Sequence, residues 1–384
     1  MKGNTMKGTE SVEVHRGLKG VHFDRSPVCF IDGRAGELTY RGYSIHDLAQ
    51  RSTFEETCYL LFKGALPTRV ELEVFDAELK AARTLPAAAY EIMRAIKSAH
   101  PMDVLRTAVS ALAAFDLETA DKTSEATLRK GIRLTSQVPM IIAAHEHIRN
   151  GREPVPPDLR LGHAANFLHM LKGRAPSADA ARLMDTDMIL HAEHGSNASA
   201  FTARVVAGTE ADLHGAVTAA IAALSGPAHG GAAENVMRMA QEIGEASNAA
   251  DYVKRKRANK EPVMGFGHRV YRAEDPRARH MRAGVERLSR EMGQPQWYQI
   301  LEAVVEAMKP YARHGVNVNV DFYAGVVYFL NGIAEDLFVP IFAAGRVPGW
   351  TVQVLEQMEN NILIRPLTVY NGPEPRVYVP IESR

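Results

Sequence analysis

Apolar residues recur at helical spacing along most of the chain. The spacing predicts amphipathic helices over residues 104–115, 161–171, 178–191, 212–224, 278–292 and 297–312. Two further helices are predicted after the sequences 52–55 and 68–71, in which a Ser or Thr precedes a Glu by three residues, as in a capping box. The chain is therefore predicted to be mostly α-helical.

Strand signals are confined to the two ends of the chain. Residues 28–32 and 37–40 flank the turn sequence 33–36, and this arrangement predicts a small N-terminal β hairpin. After Arg365 the helical periodicity disappears, and proline and glycine interrupt the chain. The final segment is either an extended tail that lies on another surface or a disordered one, and the pattern fits both.

The composition is that of a folded protein. The chain has 384 residues, which is enough for two domains, and it contains 46% hydrophobic and 23% charged residues. Lys plus Arg and Asp plus Glu both number 45, so the formal net charge is +0. This balance argues against nucleic acid or an anionic membrane as the main partner.

The cysteine count and the hydropathy predict a cytoplasmic protein. Cys29 and Cys58 are the only cysteines, which excludes a disulfide framework and fits a reducing compartment. No segment approaches the roughly 18 consecutive apolar residues of a membrane helix. Residues 1–10 are polar, lack the apolar stretch of a signal peptide, and are predicted to be a loose tail.

His229 lies in a glycine-rich break, residues 226–231, between two predicted helices. The dipole at a helix N-terminus disfavours an imidazolium, so this histidine is a candidate neutral hydrogen-bond donor. The glycines allow a substrate to approach the backbone closely. The alternative interpretation is an ordinary turn that happens to contain a histidine.

A second glycine-rich loop, residues 265–268, ends in His268. Its sequence GFGH does not match the dinucleotide-binding pattern GxGxxG and does not follow a predicted strand. Further on, Asp275 and Pro276 predict the start of a helix, with Arg277 in the first turn, where its guanidinium could bind a carboxylate. The alternative is a loop followed by a solvated arginine.

Asp321 lies among apolar and aromatic residues in the sequence NVNVDFY, residues 317–323. A carboxylate in such surroundings is expected to have a raised pKa, as a general base often does. The alternative is an aspartate that caps the helix predicted to follow it.

The sequence HAEH places His191 and His194 three residues apart with Glu193 between them. This arrangement raises the alternative of a helical zinc protein, although the spacing differs from the zincin pattern HExxH. His145 and His147 are predicted to be surface residues. The basic run 254–257 is either a solvated helix face or a patch for the phosphates of a bulky anionic cofactor.

Taken together, these motifs resemble the citrate synthase family. The series GPxHGG, GxGHxVY, DPR and NVDFY occurs here in that order, and further similarity extends from residues 36–42 through 100–103 to 365–366. The resemblance is greatest to the short bacterial and archaeal enzymes, which are homodimers, and 2-methylcitrate synthase is closely related. It covers nearly the whole chain.

The resemblance implies an all-α, two-domain fold with the small hairpin at its N-terminus. Residues 1–230 and 337–384 would form a large, dimer-forming domain, and residues 231–336 a small mobile domain. The break at residues 225–227 would then be a hinge region, and closure would exclude water from the cleft between the domains.

The resemblance also implies the activity. Enzymes of this family condense acetyl-CoA with oxaloacetate and water to give citrate and CoA, the first step of the tricarboxylic acid cycle. They act as homodimers on small-molecule substrates, need no metal, and hold no permanent cofactor, acetyl-CoA being a co-substrate. The main alternative is a 2-methylcitrate synthase, or a dual enzyme, that uses propionyl-CoA; one methylene changes binding by only about 1–3 kcal/mol.

Residue roles follow from the match to the family motifs. The catalytic groups would be the base Asp321 and the hydrogen-bond donors His229 and His268. The oxaloacetate ligands would be His194, Arg277 and Arg346, together with Arg365 contributed by the partner subunit. CoA would bind to Arg272 and to the backbone at Val263, Gly265 and Gly267.

Some positions depart from the family pattern. Ala233 stands where asparagine is usual, and Gln353 stands where histidine is usual. Gly345, Ser196 and Ala200 also differ from the common residues at their positions. These departures bear on substrate preference and efficiency, since the proposed catalytic groups are all present.

Overall fold

A computed structural model describes residues 13–384. The contacts within it group into two units, one formed by residues 26–362 and the other by residues 13–25 with 363–384. The predicted loose tail, residues 1–10, lies outside the described residues. The division into domains at residues 231 and 336 stays a prediction.

The larger unit is built almost entirely of helices, as predicted. Its helices are α1 (Ile45–Arg51), α2 (Phe54–Lys63), α3 (Arg69–Ala81), α4 (Ala87–Ala95), α5 (Pro101–Leu112), α6 (Ser124–Arg149), α7 (His163–Lys172), α8 (Ala178–His191), α9 (Ala198–Ala207), α10 (Leu213–Leu224), α11 (Ala232–Ile243), α12 (Ala249–Ala258), α13 (Ala278–Glu291), α14 (Gln296–Ala312), α15 (Asp321–Leu330) and α16 (Phe338–Glu359). None of the helices within residues 13–384 has the length and apolarity needed to cross a membrane.

The predicted hairpin is confirmed. Strands β1 (Cys29–Asp32) and β2 (Glu37–Tyr40) pair antiparallel, with Cys29 opposite Tyr40, and a short β3 (Tyr43–Ser44) extends the sheet. The Asp32 side chain holds the turn, because its Oδ1 accepts from the backbone N–H groups of Arg34 and Ala35 at 2.8 and 2.9 Å. This local bonding is the Asx-turn chemistry that favours aspartate at the first turn position.

Local sequence explains where several helices begin. The capping box predicted before α3 is complete, since the Glu71 N–H donates to Thr68 Oγ1 and Glu71 Oε2 accepts from the Thr68 N–H. Before α2 the cap lies one residue later than predicted, because Thr53 rather than Ser52 accepts from the Glu56 N–H. Side-chain oxygens therefore satisfy N–H groups that have no partner within the helix.

Two long helices, α6 and α16, pack against each other in the core of the larger unit. Most of their residues are buried, and each contains an internal proline, Pro139 in α6 and Pro348 in α16. Helices α9 and α10 pack beside α16, and α11 and α13 pack on α15. Most of the candidate site residues lie at the ends of these helices and in the loops between them, whereas Arg346 lies within α16.

The smaller unit has little regular structure. It contains the 3-10 turns Arg16–Leu18 and Ile381–Ser383, and the rest of its described chain is neither helix nor strand. Several of its large apolar side chains are exposed, among them Leu367 at 85% and Val377 at 89%.

Helices α11 and α15 approach each other most closely at Gly325. A Cβ atom at this position would lie nearer to the backbone oxygen of Ala233 than the 3.0 Å below which real Cβ atoms are essentially never found. We therefore expect Gly325→Ala to lower the free energy of unfolding by about 1–3 kcal/mol, because overpacking outweighs the gain in helix propensity. Urea unfolding followed by circular dichroism would measure this loss.

The matched control is Gly215→Ala in α10. A Cβ atom there would meet only the Asp212 carboxylate at an ordinary 3.7 Å, so this variant should be as stable as the parent or up to about 1 kcal/mol more stable. Equal stability of the two variants would contradict close packing of α11 on α15.

Candidate active site

Backbone N–H groups in the loop that carries His268 determine which nitrogen of its ring holds the proton. Its Nδ1 accepts hydrogen bonds from the backbone N–H groups of Val270 and Tyr271 at 3.1 and 3.2 Å. The proton of the neutral ring therefore lies on Nε2, which makes Nε2 a donor. Burial and the nearby Arg277 lower the pKa of His268 to about 4, so the ring is neutral at pH 7.

His194 lies next to His268. Their ring centroids are 5.3 Å apart at an interplanar angle of 72°. His194 Nε2 is 3.1 Å from the Tyr271 hydroxyl, and the ring is buried. Burial, together with Arg277 and His268, holds the pKa of His194 well below its ordinary value. Two neutral histidines therefore face each other at this point.

His229 occupies the predicted turn between α10 and α11. Its Nε2 accepts from the backbone N–H of Ser199 at 3.3 Å and lies 2.9 Å from the Ser199 hydroxyl, which in turn accepts from Trp350 Nε1 at 3.1 Å. The proton of the neutral ring is therefore on Nδ1. Burial, and secondarily Arg346, lowers the pKa of His229 to about 4. The prediction of a neutral donor agrees with this geometry.

Arg277 is held by a buried, bidentate ion pair. Its Nε and Nη2 donate to Asp275 Oδ1 and Oδ2 at 2.9 and 2.7 Å, and the two residues are 4% and 0% exposed. Helix α13 begins at Ala278, so Arg277 occupies the N-cap position rather than the first turn. Burial opposes the charge on each group, but their mutual attraction raises the pKa of Arg277 and lowers that of Asp275.

Arg346 is buried within α16. Its Nε donates to the backbone oxygen of His191, and its guanidinium lies over the ring of Phe342 at 4.6 Å from the centroid. Burial lowers the pKa of Arg346 to about 10, although the nearby Glu193 carboxyl opposes the shift. Such a buried guanidinium remains charged at neutral pH and is suited to bind an anion.

Asp321 is the first residue of α15 and is half-buried. Burial raises the pKa of this carboxyl, while the nearby Arg277 guanidinium opposes the increase. The raised pKa agrees with the expectation for a general base, a role that stays a prediction. The alternative of a helix-capping aspartate is not supported, because Val320 occupies the N-cap position and α15 has no side-chain capping hydrogen bond.

The candidate CoA loop is bonded to the segment that leads into Asp321. The Gly267 N–H donates to Asn317 O at 2.7 Å, and the Asn319 N–H donates to Gly265 O at 2.9 Å. Gly265 has φ +77° and leaves no room for a Cβ atom against Phe322, so this position requires glycine. The loop that precedes His268 is therefore fixed relative to α15.

The two other candidate CoA residues differ in exposure. The side chain of Val263 is buried, whereas Arg272 is exposed and its backbone oxygen accepts from Asn317 Nδ2 at 2.8 Å. Arg272 can therefore reach a ligand in solvent, while Val263 would act only through its backbone.

The structure brings six of the seven predicted catalytic and oxaloacetate-binding residues into one cluster. His194 and His268 are in ring contact, Arg277 acts electrostatically on both rings and on Asp321, and Arg346 acts on His194 and His229. The seventh, Arg365, is exposed and belongs to the unit formed by residues 13–25 and 363–384, so its role stays a prediction.

Comparison with known proteins identifies the family. The family model described as citrate synthase, C-terminal domain, matches residues 17–367. The chain is 44% identical to citrate synthase 2 of Bacillus subtilis, over 96% of this chain and 99% of that one. The chain belongs to the citrate synthase family. It is also 41% identical to 2-methylcitrate synthase 1 of Corynebacterium glutamicum, over 97% of this chain and 99% of that one.

Solved citrate synthases have the same fold. The enzyme of Pyrobaculum aerophilum superposes with a TM-score of 0.92 at 40% identity, covering 96% of this chain and 95% of that one. The ternary complex of the Thermoplasma acidophilum citrate synthase with carboxymethyl coenzyme A and oxaloacetate gives 0.91 at 30% identity, covering 96% and 99%. The predicted all-α citrate synthase fold is confirmed, as is the predicted family.

The two histidines of the HAEH sequence have separate hydrogen-bond partners. His191 Nδ1 is 2.9 Å from the backbone oxygen of Asp187, whereas His194 is bonded to Tyr271. Within residues 13–384 there is no group of three or more His, Cys, Asp and Glu side chains that could hold a metal ion. The zinc alternative therefore has no support in this geometry.

Two residues that fix the site histidines were not predicted as functional. Ser199 sets the tautomer of His229, and Tyr271 bonds to His194 and contributes its backbone N–H to His268. Tyr271 belongs to the quoted motif GxGHxVY, so its sequence position was a usable signal. Ser199 lies 30 residues before His229, and no spacing rule connects the two.

The depressed pKa of His229 has a consequence for stability. Its folded-state pKa of about 4 is below the ordinary value of 6.5, so the unfolded chain binds the proton first as the pH falls. The free energy of unfolding should therefore decrease between about pH 6.5 and pH 4. Since His229→Gln removes this contribution, the variant should lose less stability over that interval than the parent.

Urea unfolding at pH 7 and at pH 4.5 would measure the difference. His314→Gln, at an exposed histidine outside the cluster, is the control for the loss of one histidine. If His229→Gln showed the same loss as the parent between the two pH values, His229 would not be held neutral by burial.

Proposed function

We propose that this protein is a citrate synthase that condenses acetyl-CoA with oxaloacetate and water to give citrate and CoA. The observation that carries the proposal is the clustering of two neutral histidines of fixed tautomer, His229 and His268, with two buried arginines and Asp321. The same reaction would make it the first enzyme of the tricarboxylic acid cycle, acting in the cytoplasm.

Proton abstraction is the first step. The methyl group of acetyl-CoA is a weak carbon acid, so its deprotonation needs a base and a donor directed at the thioester oxygen as negative charge develops there. Asp321 is the proposed base, because burial raises its pKa and so strengthens its hold on a proton. His229 is the proposed donor through Nδ1–H, since Nε2 is occupied by Ser199.

Activation of oxaloacetate is the second step. His268 presents Nε2–H as a donor that can polarise the keto oxygen, and its neutrality means that it does not release its proton in the ground state. Arg277 and Arg346 supply the positive charge for a dianionic 2-oxo acid. His194 is the proposed fourth ligand of oxaloacetate, in addition to His268, Arg277 and Arg346. The oxaloacetate found with the Thermoplasma acidophilum relative supports this substrate class.

The CoA thioester is proposed to lie along the loop that contains Gly265 and Gly267, with Arg272 near its phosphates. Both glycines have positive φ. A Cβ atom at Gly267 would have no neighbour within 4 Å, so the space beside its backbone is open to a ligand. Carboxymethyl coenzyme A in the relative supports this class of co-substrate. After condensation, water hydrolyses the citryl-CoA thioester and releases CoA. Enzymes of this family need no permanent cofactor.

The proposed site combines residues from both sides of the predicted domain boundary. His194, His229 and Arg346 lie outside residues 231–336, whereas His268, Arg277 and Asp321 lie inside. We therefore propose that residues 231–336 form a small mobile domain that closes on residues 1–230 and 337–384. Closure would exclude water while the reactive enolate exists.

A homodimer is proposed to complete the site with Arg365 from the partner subunit. The described C-terminal segment supports this, because Leu367, Val377 and Tyr378 are 85%, 89% and 77% exposed. An apolar surface of this kind usually marks an interaction site. Arg365 would add a third guanidinium to Arg277 and Arg346, which are proposed to bind the carboxylates of oxaloacetate.

The assay that tests the function is thiol release from acetyl-CoA and from propionyl-CoA, each with and without oxaloacetate. We expect oxaloacetate-dependent release with a higher kcat/KM for acetyl-CoA. A protein-only blank corrects for Cys29, which is half-buried, and Cys58, which is buried. A preference for propionyl-CoA would make the protein a 2-methylcitrate synthase, which the 41% identity to such an enzyme keeps as the second candidate. No release with either donor would contradict both.

Asp321→Asn tests the base. The amide keeps the size of the side chain but cannot accept the proton, so we expect kcat to fall by at least about 100-fold. Oxaloacetate affinity measured by calorimetry should change only a few-fold, because the arginines and histidines that bind it remain. Asp251→Asn, at an exposed aspartate of α12, is the control. Near-normal turnover of Asp321→Asn would remove Asp321 from the role of base.

A further inference from the structure

The β hairpin contacts the segment that carries His194. The Tyr40 hydroxyl at the end of β2 accepts from the Glu193 N–H at 3.3 Å and lies 3.2 Å from the backbone oxygens of Ile189 and Leu190. Tyr40 is fully buried, so these hydrogen bonds are shielded from solvent. The hairpin is thus bonded to the backbone immediately before His194.

The turn of the same hairpin contacts the segment that carries His268. The Gly33 backbone oxygen accepts from the Arg272 N–H at 2.7 Å. A Cβ atom at Gly33 would fall within 3.0 Å of the backbone oxygen of Val270, so only glycine permits this approach. Val270 is also the residue whose N–H bonds to His268 Nδ1.

The hairpin therefore spans the two segments whose histidine rings meet at the candidate site. One end of β2 holds the residue before His194, and the turn holds residues two and four positions after His268. The hairpin lies outside residues 231–336, whereas the His268 segment lies inside them. A short, hydrogen-bonded sheet is stiffer than a loop, so it can fix the distance between the segments.

We propose that the hairpin is a brace that sets the separation of His194 and His268 when residues 231–336 are closed on the rest of the chain, and that Gly33 and Tyr40 are positioning residues for oxaloacetate binding. The proposal rests on the function proposed above, because it assumes that these two histidines bind oxaloacetate. Neither Gly33 nor Tyr40 touches the substrate; each acts through the backbone of a histidine segment.

Gly33→Ala tests the close approach without backbone strain. Gly33 is not among the residues with positive φ, so alanine fits its backbone, and the three atoms nearest to the added methyl group all belong to Val270. That segment must move by roughly 1 Å, a displacement that can cost about 100-fold in a catalytic site. We expect the Kd and the KM for oxaloacetate to rise 10- to 100-fold, with a smaller change in the KM for acetyl-CoA.

The matched control is Gly42→Ala in the same sheet region. Gly42 has φ +87°, so alanine is strained there, but a Cβ atom would have no neighbour within 4 Å. This variant should lower the thermal unfolding temperature and leave the KM for oxaloacetate unchanged. A purely structural role of the hairpin would instead give both variants an affinity loss that follows their loss of stability.

Two further measurements keep the proposal testable if Gly33→Ala does not fold. In the parent protein saturated with oxaloacetate, which favours the closed arrangement, the Arg272 amide should exchange its hydrogen slowly, because it is bonded to Gly33 O. Tyr40→Phe keeps the ring but loses the Glu193 contact, and it should also raise the KM for oxaloacetate at least several-fold. Rapid exchange at Arg272, or an unchanged oxaloacetate affinity in Gly33→Ala or Tyr40→Phe, would overturn the brace.

These results are distinguishable from failure of the proposed function. If the parent protein releases no thiol with oxaloacetate, the function is wrong, while Arg272 exchange and calorimetric oxaloacetate binding still report on the brace. If the parent turns over and the Gly33→Ala variant binds oxaloacetate equally well, the function stands and the brace is wrong.

Discussion

The buried ion pair between Asp275 and Arg277 is the interaction on which the rest of the site depends. Both groups are removed from water, and such a pair is maintained only when its geometry is good and its remaining hydrogen bonds are satisfied. The Asp275 backbone N–H donates to Val318 O at 3.1 Å, and Asp275 Oδ2 accepts from the Val320 N–H at 3.3 Å. The pair thus joins the start of α13 to the segment that leads directly into Asp321. Breaking it would displace the proposed oxaloacetate ligand and the proposed base together.

Burial and two buried arginines, Arg277 and Arg346, together explain why the histidines of the site are neutral. Burial alone disfavours an imidazolium, and the fixed guanidinium charges of Arg277 and Arg346 add repulsion for His194, His229 and His268. The site therefore carries its positive charge on arginines, which hold it at any physiological pH, and leaves the histidines as neutral donors. This division suits a dianionic substrate, because charge binds the carboxylates while directed N–H groups act on the reacting oxygens.

Sequence patterns predicted the amphipathic helices and the hairpin but not the helices at the centre. Helices α6 and α16 are buried on most sides, so they lack the alternation of polar and apolar faces on which periodicity relies. The prediction that His145 and His147 are surface residues was wrong for the same reason: both are buried in α6, and their Nε2 atoms are bonded to Lys97 O and Met170 O. His229, His268, Arg277 and Asp321 could be proposed as site residues because each stands in a short motif. The partners that orient them, such as Ser199, are distant in sequence and become neighbours only in the fold.

Gln353 shows how a departure from the family pattern can preserve the site. Its amide donates to Glu193 Oε1 at 2.9 Å and accepts from Arg204 Nη1 at 3.1 Å, so one neutral side chain connects a buried carboxyl to a buried guanidinium. Burial raises the pKa of Glu193 to about 7, while Arg346 and the Gln353 hydrogen bond oppose the increase. A histidine, the usual family residue here, could donate and accept in the same way only in one tautomer, and it could also take up a proton. An amide always offers both a donor and an acceptor and never titrates. Because Gln353 does not change its charge with pH, the electrostatic environment of Glu193 and Arg346 does not depend on the protonation of a side chain at position 353. The same holds for the proposed carboxylate site.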